Sequence, residues 1–166
     1  MRIALLTEKF PPEVGGLAVS VQRLAQGLVR VGHEIEVFVL SEALRPGQAE
    51  DTTPGGLLVH RLGAHRRSEE ALGAWFQQVV ARHTEQPFDL LHGYFLPRAG
   101  FIAAYVGTYL RLPSVVSARG NDLDRALFDP ARAAHILYAL QSASAITGMV
   151  GNVPARAVAR AAAQIN

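Results

Sequence analysis

Apolar positions along this chain follow two alternating rhythms. Short, nearly continuous apolar runs predict strands covered on both faces, at Ile3–Thr7, Glu34–Leu40, Leu57–Leu62, Phe88–His92, Pro113–Ala118 and Ala145–Val150. Between them lie segments whose apolar residues recur every three or four positions. In the first of these, Leu17, Val21, Leu24, Leu28 and Val31 form a stripe opposite Gln22, Arg23, Gln26 and Arg30. Gly32 stops that helix. A second helix has Ser68 as its cap, Glu69 and Glu70 in its first turn, and a face of Leu72, Trp75, Phe76, Val79, Val80 and His83. A third runs from Pro97 to about Leu110 with Ile102, Tyr105, Val106 and Tyr109 inward, and a fourth starts at Asp129-Pro130. A Pro154-initiated, alanine-rich segment closes the chain, and the polar stretch 41–56 reads as a mobile loop. Strands and helices alternate throughout, which predicts an open, mainly parallel sheet with helices on both faces.

Composition narrows this picture without changing it. The 166 residues suit one domain, 49% of them hydrophobic and 18% charged. No apolar run approaches the ~20 residues of a membrane span. No secretory leader pattern opens the chain, and zero cysteines remove disulfide and thiolate sites, so the expected location is cytoplasmic. A net charge of +2 with scattered basic residues gives no nucleic-acid footprint. The basic run His65-Arg66-Arg67 is followed at once by Glu69-Glu70 and reads as a solvated face.

Candidate chemistry collects where such sheets bind ligands, beyond the carboxyl ends of the strands. Three stretches fall there: Thr7 to Leu17, with Pro11-Pro12 and Gly15-Gly16; His92-Gly93-Tyr94; and Arg119-Gly120-Asn121-Asp122. Glycines before a helix leave free N–H groups at the positive end of its dipole, which suits phosphate. Asn121 can both donate to and accept from sugar hydroxyls. The Gly-x-Gly-x-x-Gly and Gly-x-x-x-x-Gly-Lys-Ser/Thr phosphate motifs are missing, as are a Gly-x-Ser-x-Gly elbow and paired helical histidines. Dinucleotide, P-loop, hydrolase and metal readings lose their warrants accordingly, although a flavodoxin-like nucleotide domain stays in play.

Several of these pieces, in order, resemble the N-terminal domain of the GT-B glycosyltransferases of family 4 (group 1). Phe10-Pro11-Pro12-Glu13-Val14-Gly15-Gly16 resembles the family's Pro-Pro-x-x-Gly-Gly loop, and Gly32-His33-Glu34-Ile35-Glu36-Val37 its second strand. Asp89-Leu90-Leu91-His92 and Pro113-Ser114-Val115-Val116 with Arg119-Gly120-Asn121-Asp122 resemble two later segments. The resemblance implies a Rossmann-like three-layer α/β/α sandwich, the acceptor-side half of a GT-B enzyme. It implies sugar transfer from a nucleotide-sugar donor to a sugar, lipid or small-molecule acceptor with retention, with no cofactor and no metal. Gly15 and Gly16 would lie under the donor diphosphate, Tyr94 and His92 near the reacting centre, and Glu13, Arg119, Asn121 and Asp122 toward the acceptor. Tyr94 stands where many members carry a second histidine, and Arg119 where a histidine is common. Peripheral contact with the inner face of a membrane is compatible with a lipid acceptor.

A second, donor-binding domain that the family requires has no counterpart in residues 1–166, which read as a single N-terminal domain expected to be inactive alone. A different reading is a non-catalytic saccharide-binding or partner domain that pairs with a separate donor-domain protein.

Overall fold

A computed structural model describes residues 1–65, 69–119 and 129–148. Seven strands form one sheet in the order β3-β4-β2-β1-β5-β6-β7. They are β1 (Arg2–Thr7), β2 (Glu34–Ser41), β3 (Ala49–Thr52), β4 (Leu58–Gly63), β5 (Leu90–Tyr94), β6 (Ser114–Ala118) and β7 (Ala145–Gly148). Every pairing is parallel except β3 with β4. The helices are α1 (Gly16–Arg30), α2 (Glu69–Glu85), α3 (Phe101–Leu110) and α4 (Pro130–Ser142). The mainly parallel sheet with helices on both faces read from the alternation, and the Rossmann-like α/β architecture that the resemblance implies, are what is observed.

Because adjacent strand residues point to opposite faces, the sheet has two cores. Ile3, Leu5, Val37, Val39 and Val59 meet Val21 and Ala25 of α1. Ala4, Leu6, Phe38, Leu40 and Leu91 meet Trp75 and Val79 of α2 and Ile102 and Val106 of α3. A third cluster joins Val116 and Ala118 to Ile136, Ala139 and Leu140 of α4. Burying these side chains at ~2 kcal/mol each is the main driving force for the fold.

A buried charged cluster interrupts the second core. Glu36 lies almost wholly inside, at 3% exposure, and accepts from Arg2, His60 and Arg82. Arg2 also donates to Glu34 and to the Gln86 carbonyl, and its guanidinium caps the Phe88 ring at 4.2 Å. The other ring nitrogen of His60 meets Asp51 of β3 at 2.7 Å, and the imidazole stacks on Phe38. β1, β2, β3, β4 and α2 are thereby fastened at one point.

Several expectations need correction. The stretch 41–56 is not wholly loop, because Ala49–Thr52 pairs antiparallel with β4 as an edge strand. Its exposed, charged residues follow no apolar alternation, so nothing in the pattern marks it. Tyr105 and Tyr109 face outward, at 45% and 62% exposure, because Ala103, Ala104, Val106 and Gly107 bring α3 close to its neighbours. A Cβ on Gly107 would come within 3.0 Å of the Leu112 carbonyl oxygen. Val31 lies beyond the last turn of α1 and is exposed, whereas Ala18 and Ala25 are buried. Pro97 sits in a separate wide turn, Leu96–Gly100, that precedes α3. The expected cap Ser68, the pair Arg66-Arg67 and the Pro154 segment lie outside the described residues. Among the described residues no helix is long and apolar enough to cross a membrane.

Burial alone would raise the pKa of Glu36, but hydrogen bonds from Arg82, His60 and Arg2 outweigh it and hold the carboxyl below its ordinary 4.5. As pH falls the unfolded chain takes up this proton first, so the contribution is present above pH 4.5 and lost as pH drops through the folded value. Glu36→Gln should cost about 3–5 kcal/mol in denaturant unfolding at pH 7, since it strands buried cations. It should also flatten the decline in stability below pH 4.5 that the unaltered chain shows. Equal unfolding midpoints for the two proteins would refute the role of this carboxylate.

Candidate active site

The strand order reverses between β1 and β5: successive strands run outward through β2 and β4 on one side, and through β6 and β7 on the other. In open α/β sheets the crevice above such a reversal is where ligands bind. The loop leaving β1 and the last residues of β5 border it, and Arg119, just past β6, reaches over Tyr94.

The loop is built in two parts. Its first part is anchored: the Thr7 hydroxyl donates to the Lys9 carbonyl at 3.1 Å, and Phe10 is fully buried beneath α1. The Glu13 N–H closes a turn onto the Phe10 carbonyl across a cis Pro11-Pro12 bond. Its second part is bare: Val14 is 93% exposed and Gly16 is exposed. Gly15 adopts φ +146°, a conformation that side-chain-bearing residues rarely reach, and it is the N-cap of α1. No side chain caps this helix and no acidic residue occupies its first turn. The first N–H groups of α1 therefore have no intrahelical acceptor and no acidic side chain from the helix's own first turn.

Tyr94 is the last residue of β5, so it lies within the strand and not past its end as expected. The ring is 1% exposed and its hydroxyl is hydrogen-bonded to Ser20 of α1. The Arg119 guanidinium stands over the ring face, 4.7 Å from its centroid. The structure thus brings together the glycine loop, Tyr94 and Arg119, with Ser20 as the joint between helix and strand. Sequence reasoning passed over Ser20, since a serine on a helix carries no motif.

His92 occupies the same sheet face two residues earlier, its ring centroid 6.4 Å from that of Tyr94. Its Nε2 pairs with the Ser117 hydroxyl at 2.8 Å, and Ser117 pairs with Thr147 at 2.7 Å, a polar line across β5, β6 and β7. Burial, reinforced by the positive charge of Arg119, pushes the His92 pKa down to about 4. At neutral pH the imidazole is uncharged, a hydrogen-bonding group and not a proton reservoir. Gly93 lies between the two: a Cβ there would come within 2.4 Å of the Ala99 carbonyl oxygen, so the Leu96–Gly100 turn packs directly on this strand.

Glu13 is half-buried in the turn before Gly15. Gly120, Asn121 and Asp122 lie outside the described residues. Among the described residues no group of three or more His, Asp or Glu side chains is placed to hold a metal ion.

On the α2–α4 side of the same strand ends opens a cavity of about 690 Å³ that sequence reasoning did not find. Its wall carries four carboxylates (Glu8, Glu42, Glu69, Asp129), three cations (Lys9, Arg98, Arg132) and two imidazoles (His65, His135). These come from the exits of β1, β2, β4 and β5 and from the starts of α2 and α4, places that run from Glu8 to His135 along the chain. No local pattern could have marked them, although Glu8 and Lys9 do lie inside the loop singled out from the sequence. A wall that both donates and accepts hydrogen bonds matches a polyhydroxylated ligand.

The His92 ring should stay neutral on titration until well below pH 6, with an NMR midpoint near 4. Its folded pKa lies below the ordinary 6.5, so the unfolded chain binds the proton first. Stability from this residue should be complete above pH 6.5 and fall as pH drops toward 4. A midpoint near 6.5 would mean that the ring is solvated and open to proton transfer.

Comparison with known proteins agrees with this architecture. A profile of the glycosyl transferase 4-like domain family matches residues 15–164. A 41-residue stretch is 51% identical to glycosyltransferase MJ1607 of Methanocaldococcus jannaschii, covering 24% of this chain and 10% of that protein. Among solved structures, sucrose-phosphate synthase from Thermosynechococcus elongatus superposes with a TM-score of 0.64 at 17% identity, over 87% of this chain and 41% of that one. UDP-GlcNAc 2-epimerase from Methanocaldococcus jannaschii superposes with a TM-score of 0.62 at 9% identity, over 97% and 41%. At such identities the likeness is one of fold, and the chain spans less than half the length of each relative. The profile covers nearly the whole chain, including α1 and every strand after β1, and on that ground the chain belongs to the glycosyl transferase 4-like domain family.

Proposed function

We propose that the protein carrying this chain transfers a sugar from a nucleotide-sugar donor to an acceptor with retention of configuration. The observation that carries this reading is the N-terminus of α1, approached through Gly15 and Gly16, without a side-chain cap or an acidic residue in its first turn, at the sheet's reversal point. Its backbone N–H groups suit the charge that builds on a diphosphate as it leaves. A donor diphosphate needs further contacts, and these would come from a second domain of the full-length protein, so residues 1–166 alone should not turn over.

On this reading the cavity lined by Glu8, Glu42, His65 and His135 receives the acceptor, and Glu13, on the same loop as Glu8, is assigned to the acceptor side. Arg119, which leads into Asn121 and Asp122, supplies positive charge toward an anionic group on donor or acceptor. His92 and Tyr94 shape the reacting centre by hydrogen bonding and packing, since a neutral imidazole and a tyrosine bonded to Ser20 are ill suited to donating a full proton at pH 7. No residue of this site is assigned to a metal or cofactor. An acceptor carried on a lipid would bring these strand ends to a membrane surface. A second reading, a saccharide-binding module without chemistry of its own, draws on the same cavity.

Assay of the full-length protein against a panel of nucleotide sugars decides between the two, because nucleotide release that depends on acceptor occurs only in the first. A Cβ on Gly16 meets nothing within 4 Å. Gly16→Val should therefore leave the melting temperature almost unchanged, yet lower kcat by a hundredfold or so through a misplaced donor. Unaltered turnover would remove the loop from the reaction. Arg119→Ala should raise the acceptor KM more than the donor KM, and the reverse ranking would reassign this arginine to the donor.

A further inference from the structure

We infer that Arg61, on β4, is a positioning residue for the glycine loop, holding the segment between β1 and α1 in the conformation that presents the α1 N-terminus; this rests on the sugar-transfer reading. Arg61 lies 50 residues along the chain from the loop and was in no motif. It pairs in register with Val39 of β2, on the face that carries α1. From there its Nη2 donates to the Pro11 carbonyl at 2.5 Å, a charge-assisted bond that reaches past β2 to the loop leaving β1.

The loop needs a tie of this kind at this place. Pro11 and Pro12 have no N–H to donate, so the loop's own backbone can supply little hydrogen bonding there. Upstream, Phe10 is held by the core; downstream, the Glu13 N–H returns to the Phe10 carbonyl, after which Val14 and Gly16 are exposed up to the bond from the Val19 N–H to the Gly15 carbonyl. Arg61 thus fixes a carbonyl of the loop just ahead of the stretch in which Pro12, Val14 and Gly16 are exposed. A shift of Pro11 would pass directly to Gly15, Gly16 and the first N–H groups of α1. Arg61 itself touches no reacting atom in this arrangement.

Arg61→Met and Arg61→Lys in the full-length protein test this, with kinetics and hydrogen exchange read together. The methionine variant should lower kcat about tenfold or more while KM for the acceptor changes less than twofold. Lysine can donate to the same carbonyl and should restore part of the loss. Amides of residues 13–18 should exchange severalfold faster in the methionine variant, with β5 and α3 unaffected. A kcat within twofold of the unaltered enzyme, unchanged loop exchange, or faster exchange across the whole domain would each overturn the inference. Should the unaltered protein transfer no sugar from any nucleotide sugar, the functional reading fails, whereas local loop exchange still decides whether Arg61 holds the loop.

Discussion

A single buried carboxylate governs how this domain is assembled. Glu36 sits near the start of β2 with almost no solvent contact, and such a charge is tolerable only when every lone pair finds a donor. Arg2 reaches it from β1, His60 from β4 and Arg82 from α2. Arg2 carries the connection on to Gln86 and Phe88 just before β5, and His60 carries it to the edge strand β3. Removing any one partner would leave the others buried and uncompensated. The register of four strands and the seat of α2 are thus specified by charge as well as by apolar packing.

This arrangement separates stability from chemistry. The charged cluster draws on the strand starts and the sheet interior, beneath α2. The opposite strand ends are left free for the loop before α1, for Arg119 above Tyr94, and for the mixed-charge cavity. Within the site a similar division recurs. Phe10, Tyr94 and His92 are buried and bonded, and they form a stiff floor, while Val14 and Gly16 stand unpacked above it. On the proposed reading a diphosphate would meet backbone groups whose positions are set from below, without a capping side chain to displace.

The neutral state of His92 follows from the same geometry. A ring sealed between strands and placed near a guanidinium cannot easily hold a second proton, so it serves as a fixed donor–acceptor linked to Ser117 and Thr147. That polar line crosses three parallel strands whose apolar neighbours would otherwise pack without preference for one register. In this way a residue singled out for chemistry also helps to align β5, β6 and β7.

The local order of apolar and polar residues was enough to determine the alternation of strands and helices, the doubly covered parallel sheet and the loop from β1 to α1 within Thr7 to Leu17. Periodicity and glycine placement are properties of neighbouring residues, and neighbours are what a sequence displays. Beyond that reach lay the edge strand Ala49–Thr52, which is made by pairing with β4 and not by its own polar residues. The outward turn of Tyr105 and Tyr109 was likewise settled by the close approach that Ala103 and Gly107 permit, a matter of fit against other elements. The Glu36 cluster, the bond from Tyr94 to Ser20 and the reach of Arg61 to Pro11 join residues 24 to 74 positions apart, and the cavity at the strand ends gathers residues from Glu8 to His135. Only the folded sheet brings those groups within a few ångströms, because hydrogen bonds and charge pairing act through space and leave no period along the chain.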